Sequence, residues 1–284
     1  MRILPVVAIA LLVLGGAMTG APVAHAAKRA TSSKKAARPS RDLDVQLSKA
    51  QTQLAAGRYA DAESTARAVL PGIQGSSRQA AIDSAAALAV VVQAMWQNDR
   101  ERSPGALDLA ERAVRLRERA LGPSAPPVIV SLCDWSRLLA GNNQQAQAES
   151  TARYALDLAQ RTLGPDDPLT ATAHHHLGLA LYLGHRYDEA LAEFQHGLAI
   201  RERRLPANDP LIGTSLRALG VTYQMMDDWT GEVTAWRQAL DNAERSLPDD
   251  HPDHARALQG LSTALYHQQD YVEAERLSER ALEM

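Results

Sequence analysis

Apolar residues recur three or four positions apart from Leu43 almost to the last residue. Leu43, Leu47, Ala50 and Leu54 share one helical face, Gly57 interrupts, and Tyr59, Ala62, Ala66, Val69 and Leu70 form a second such face ending at Pro71-Gly72. That spacing is one side of a 3.6-residue turn, and no stretch alternates apolar and polar residues long enough to make a strand. The pattern therefore predicts an all-α chain of paired helices. After the first pair come 78 to 98 with 104 to 121, 126 to 140 with 145 to 163, 168 to 183 with 187 to 204, 210 to 226 with 229 to 246, and 252 to 268 with 271 to 283.

The breaks between pairs repeat. Leu121-Gly122-Pro123, Leu163-Gly164-Pro165, Leu205-Pro206-Ala207 and Leu247-Pro248-Asp249 stand 42 residues apart, and Pro126, Pro168, Pro210 and Pro252 keep the same step. A fixed period of this size is the mark of a solenoid, in which each unit buries its apolar face against its neighbours. Gly122 and Gly164 suit the closing of a helix, and the prolines after them cannot continue it. Asp167-Pro168 and Asp209-Pro210 put a capping acceptor before a proline at the first helical position, where its missing N–H costs nothing. The register slips once: Tyr59 lies 44 residues before Ser103 instead of 42.

Within each period, His174, Leu177, Gly178 and Leu181, then Ala190, Phe194 and Gly197, stand at spacings that recur as Leu216, Leu219, Gly220 and Tyr223, then Glu232, Trp236 and Ala239. The last copy has Leu258, Leu261, Ser262 and Leu265, then Ala274, Ser278 and Ala281. This pattern resembles the tetratricopeptide repeat. The longer period, with Leu163-Gly164-Pro165-Asp166-Asp167-Pro168, Asp250-His251-Pro252-Asp253 and Tyr187-Asp188-Glu189-Ala190-Leu191, is similar to its kinesin-light-chain subclass. The resemblance implies a right-handed superhelix of antiparallel hairpins over residues 42 to 284, non-enzymatic, that binds a peptide or protein on its concave side. It places the first helix of each pair on that side, so the expected groove is His175, Leu179 and Tyr182, then Arg217, Val221 and Gln224, then Gln259, Thr263 and Tyr266, with Cys133 and Arg137 beside them. The paired asparagines with which the subclass holds a peptide backbone are replaced by Cys133-Asp134, His175-His176, Arg217-Ala218 and Gln259-Gly260.

Composition changes this picture in three places. Only 4% of the chain is aromatic, as closely packed helices with small side chains require. Seven of the 30 cationic residues precede Asp42 and none of the 33 acids does, which leaves an acidic body of 23 against 33 behind a basic tail. An acidic body argues against nucleic acid as a partner, since phosphates need a basic face. Third, Met1-Arg2, the apolar run Ile3 to Leu14 and Ala24-His25-Ala26 read as a secretory signal over residues 1–26. Residues 27–41 read as a disordered basic linker, first a solubilising spacer and second a weak tether to an anionic envelope. The signal implies export, and the Ala/Arg-rich composition with so compact a signal implies a bacterial source, so a periplasmic or secreted bacterial protein is expected.

Chemistry is sparse. The lone Cys133 cannot form an intrachain disulfide. Adjacent His174, His175 and His176 point about 100° apart on a helix and cannot converge on one ion; His174 is expected toward the core, His175 toward the groove and His176 between them. His251, in a repeat break, suits a local hydrogen bond. The runs Arg115-Leu116-Arg117-Glu118-Arg119 and Arg201-Glu202-Arg203-Arg204 read as charge runs late in second helices, where cations favour the helix dipole. No nucleophile with a base and no paired acids stand at a credible spacing, and no cofactor is expected. Leu277, Ala281 and Leu282 mark an end face expected to pack on a second copy or a partner, and an assembly or anchoring role through end faces and tail is the rival to groove binding.

Overall fold

A computed structural model describes residues 41–284. Twelve helices follow one another in that span: α1 Arg41–Ala55, α2 Tyr59–Val69, α3 Arg78–Gln97, α4 Ala106–Leu121, α5 Pro126–Gly141, α6 Gln145–Leu163, α7 Pro168–Leu183, α8 Tyr187–Arg204, α9 Pro210–Met225, α10 Trp229–Ser246, α11 Pro252–His267 and α12 Tyr271–Leu282. No strand occurs among the described residues. Each helix packs on the next, giving six antiparallel hairpins stacked as a right-handed solenoid, and α5 also packs on α7. The expected signal and linker lie outside the described residues. The most apolar long helix, α3, would suffice in length and hydropathy to cross a membrane, but its C-terminal half is buried in the stack.

Every hairpin turn has a residue of positive φ two positions after its first helix, Gly57, Asp99, Asn143, His185, Asp227 and Gln269, and the α3–α4 connection has a second, Gly105. Asn, Asp and His tolerate that region better than other side chains do and occupy it in four of the six copies, and Gln269 takes it in the last. The register slip lies just after Asp99. The α3–α4 connection uses residues 98–105, whereas the other hairpins turn in three residues.

Caps follow the expected chemistry. Asp167 accepts from the Leu169 N–H at 2.7 Å and Asp209 from the Leu211 N–H at 2.9 Å. His251 does the same work for α11, its Nδ1 accepting from the Asp253 N–H at 3.1 Å.

Packing is organised by small residues facing large rings. A Cβ on Gly178 would lie 2.7 Å from Phe194, and Trp236 sits so close to Gly220 and Gly260 that a Cβ on either would meet it at 2.7 or 2.5 Å. A second device alternates along the stack. Arg201 Nη1 donates to Leu211 O at 2.8 Å and Ser215 Oγ at 2.6 Å, and Arg117 makes the same pair with Pro127 O and Ser131 Oγ two repeats earlier. The junction between them has Ala159 with Ala173, and the one after Arg201 has Ala243 with Ala257. Arg201 is fully buried, so within the charge run that closes α8 this arginine serves the junction between repeats. An arginine that reaches across a repeat junction needs an oxygen on the far side, and the serine supplies it.

The stack also closes. The α1–α2 turn meets the start of α11: a Cβ on Gly57 would stand 2.4 Å from Pro252. Arg256 Nη1 donates to the Tyr59 hydroxyl at 3.4 Å and lies over its ring at 5.7 Å, a contact spanning 197 residues.

Candidate functional site

The inner wall was the expected site, and closure alters it. Helix α7 is buried from Thr170 to Tyr182 and α9 from Leu211 to Thr222. Of the nine expected groove residues, His175, Leu179, Tyr182, Arg217 and Val221 are buried, each 5% exposed or less. The expectation of a solvent-facing wall is corrected for these five. His175 lies 5.3 Å from the Phe194 ring, Leu179 belongs to the main core, and Tyr182 sits against Tyr187 at 5.5 Å. Cys133 and Arg137 are buried with them.

The wall is an ionic core. Arg137 Nη2 donates to Asp134 Oδ1 at 2.9 Å, Gln93 Nε2 donates to Asp134 Oδ2 at 3.2 Å, and the Arg137 guanidinium lies 5.2 Å from the Trp96 ring. Near the closure, Asp253 receives Arg217 at 3.1 Å and Arg256 at 2.7 Å. Burial works to raise the pKa of Asp253, but the two guanidiniums outweigh it and hold the carboxyl below its ordinary value. Burial, then Arg137, hold the His176 imidazole well below its usual range, and burial pushes up the thiol of Cys133. Removing one partner of such a buried pair typically costs about 3–5 kcal/mol. Arg217 therefore holds the fold, and its truncation is not a clean probe of binding.

Four expected residues keep access to solvent: Gln224, Gln259, Thr263 and Tyr266. The last three run along one side of α11, and Tyr266 is 62% exposed. It meets Tyr271 edge to face at 5.2 Å and stands 6.5 Å from His267, which in turn lies 4.6 Å from Trp229. His267 is held by Glu232, whose buried carboxylate faces its Nδ1 at 2.9 Å; burial raises the pKa of that carboxyl. Seven large apolar side chains are exposed among the described residues, and five of them, Tyr266, Tyr271, Val272, Leu282 and Met284, fall in the last hairpin. Of the expected end face, Leu277 is buried while Leu282 is 88% exposed.

Sequence reasoning missed Tyr59, Arg256 and Asp253, because nothing local marks a contact 197 residues long. It also missed Trp229, His267 and Tyr271, although aromatic residues at the hairpin turns were readable from the 42-residue register: Tyr187, Trp229 and Tyr271 occupy one position.

Two sequence-family models, both described as tetratricopeptide repeat, match the chain, one over residues 146–203 and 211–284 and the other over 85–126. No curated protein matches. Among solved structures, a kinesin light chain from Podosopora anserina with nearly identical TPR-like repeats is 20% identical, with a TM-score of 0.54 over 68% of this chain and 91% of that one. BtubC from P. vanneervenii is 15% identical, with a TM-score of 0.58 over 85% of this chain and 90% of that one. A Rap protein complexed with Competence and Sporulation Factor is 12% identical, with a TM-score of 0.56 over 86% and 76%. At these identities the likeness is one of fold. With hairpins, register and small-residue packing in agreement with the matched models, the chain belongs to the tetratricopeptide repeat family.

Proposed function

We propose that this protein is a non-enzymatic protein-interaction scaffold that docks a peptide or protein on its last hairpin, along Gln259, Thr263 and Tyr266 of α11 and Tyr271 and Val272 of α12. The observation that carries this reading is the concentration of exposed apolar side chains there, five of the seven among the described residues, on a molecule that buries five of the nine residues of its expected groove. Amide, hydroxyl and aromatic groups in one strip suit an extended or helical segment that brings apolar side chains and free backbone polar groups. Aromatic anchors commonly dominate such interfaces. The Rap relative, described as complexed with a factor, supports a binding role for the fold.

A Tyr266→Ala/Tyr271→Ala variant is expected to fold normally and to lose the partner. The measurement is parallel affinity capture from the protein's own cells with wild type, this variant and Tyr154→Ala, an exposed tyrosine elsewhere. A partner retained by wild type and Tyr154→Ala but lost by the double variant supports the reading. Identical sets from all three baits would remove it. The same reading takes residues 1–26 as an export signal, residues 27–41 as a weak envelope tether, and self-association as one form of docking. Recovery of the chain with Met1 intact from the cytoplasm would remove the export component, and a monomer in sedimentation at high concentration would remove the dimer.

A further inference from the structure

We propose that His174, Glu193 and His196 form a binding site for a single zinc-class divalent metal ion on the outer side of the α7–α8 hairpin, a site that does not rest on the docking reading above. Glu193 and His196 are three residues apart on α8 and so share a face. His174 comes from α7. Its Nδ1 lies 2.6 Å from Glu193 Oε2, the His174 and His196 ring centroids are 5.6 Å apart, and one ligand atom from each residue falls within 4.8 Å of the others. The three side chains grade from buried through half-buried to exposed, so the site has a rigid floor and an entrance.

The repeat provides an internal comparison. At the position of His174 the other copies carry Leu132, Leu216 and Leu258, all buried. At the positions of Glu193 and His196 they carry Thr151 with Tyr154, Ala235 with Gln238, and Leu277 with Arg280. Three ligand-type residues coincide in one repeat, and none of the three occurs at these positions in the copies compared. In those copies the same crevice is apolar or neutral at its base: Leu132 with Thr151 and Tyr154, and Leu216 with Ala235. His174 is buried, as expected of a residue at a core position, and forms the base of this crevice, and the ligand set uses one of the three adjacent histidines with two residues from the opposite helix.

Two imidazoles and a carboxylate suit zinc and its neighbours in the transition series better than magnesium or calcium, which prefer oxygen alone. Ligand atoms around a tetrahedral zinc stand roughly 3.4 Å apart, given bonds of about 2.1 Å. His174 and Glu193 are already closer than that, and His196, being exposed, is free to swing inward by the remaining distance. On binding, the His174–Glu193 hydrogen bond is exchanged for two metal bonds, and His174 coordinates through the lone pair of Nδ1 with its ring proton on Nε2. Three protein ligands leave a position for water or a donor from another molecule.

The test uses the untagged full chain, stripped with chelator and titrated with Zn2+ by calorimetry and by thermal unfolding, with Co2+ absorption as a coordination signature. The variants are Glu193→Gln, His196→Ala, His174→Leu and, as a control, His185→Ala at an exposed turn. Wild type and His185→Ala are expected to take up one equivalent in the micromolar range or tighter, with a melting temperature that rises with Zn2+ and a tetrahedral Co2+ spectrum. Each ligand variant should lose about tenfold or more in affinity. His174→Leu restores the residue that the other repeats use, so it should remain folded while losing the metal. Failure of wild type to bind one equivalent, or ligand variants that bind like wild type, would overturn the proposal.

Discussion

At Gly220 the hydrogen in place of a side chain is what lets α9 approach α10, since a Cβ there would stand 2.7 Å from Trp236 Nε1. Gly220→Leu has no flexible neighbour to displace, and overpacking of this kind typically costs about 1–3 kcal/mol. Urea denaturation should show the midpoint falling by a corresponding amount at unchanged slope; an unchanged midpoint would mean that the ring moves aside freely. Small residues with a ring opposite were legible in the sequence, because the period aligns Gly178 with Gly220 and Phe194 with Trp236. The buried arginine was not. Four consecutive charged residues from Arg201 to Arg204 sample every side of a helix, so one must point inward, and composition does not say which. Comparison across two repeats does, since Arg117 with Ser131 recurs as Arg201 with Ser215 while the pair Ala159 and Ala173 stands between them. Burial lowers the pKa of the Arg201 guanidinium to about 10, which still leaves it charged at neutral pH.

At the scale of the element, a histidine caps α11 where aspartates cap α7 and α9. Burial lowers the pKa of the His251 imidazole, and that of His176 is lowered more strongly. Both titrate near 6.5 once unfolded. Below that value the unfolded chain binds protons that the folded chain refuses, so stability is fully present above about pH 6.5 and falls as the pH is lowered. Each such group contributes a slope of up to about 1.4 kcal/mol per pH unit. His251→Asn keeps a cap acceptor and removes one titrating group. Its unfolding free energy should therefore depend less steeply on pH than that of wild type between about pH 6.5 and 5, while equal slopes would assign the acid sensitivity elsewhere. Helix existence and order were readable because caps, glycines and prolines fall at fixed steps. The one irregular connection, residues 98–105, showed in the sequence only as a two-residue slip in the register.

At the scale of the molecule, the repeat pattern specifies how one hairpin follows another but not how far the stack curls. Curvature is a sum of small rotations at each junction, and no single residue encodes it. The closure of Gly57 and Tyr59 on Pro252 and Arg256 therefore lay beyond the sequence, and with it the burial of five residues expected to line a groove. Gln259, Thr263 and Tyr266 stayed open because they lie on α11, the last of the inner helices. The central claim is that the inner wall is core, and Cys133, the chain's one cysteine, stands on that wall with no exposed surface. The direct measurement is the rate at which a thiol reagent labels the native protein in buffer without denaturant. A closed stack predicts that Cys133 stays unlabelled until the chain is unfolded, whereas stoichiometric labelling at the rate of an exposed thiol would contradict it.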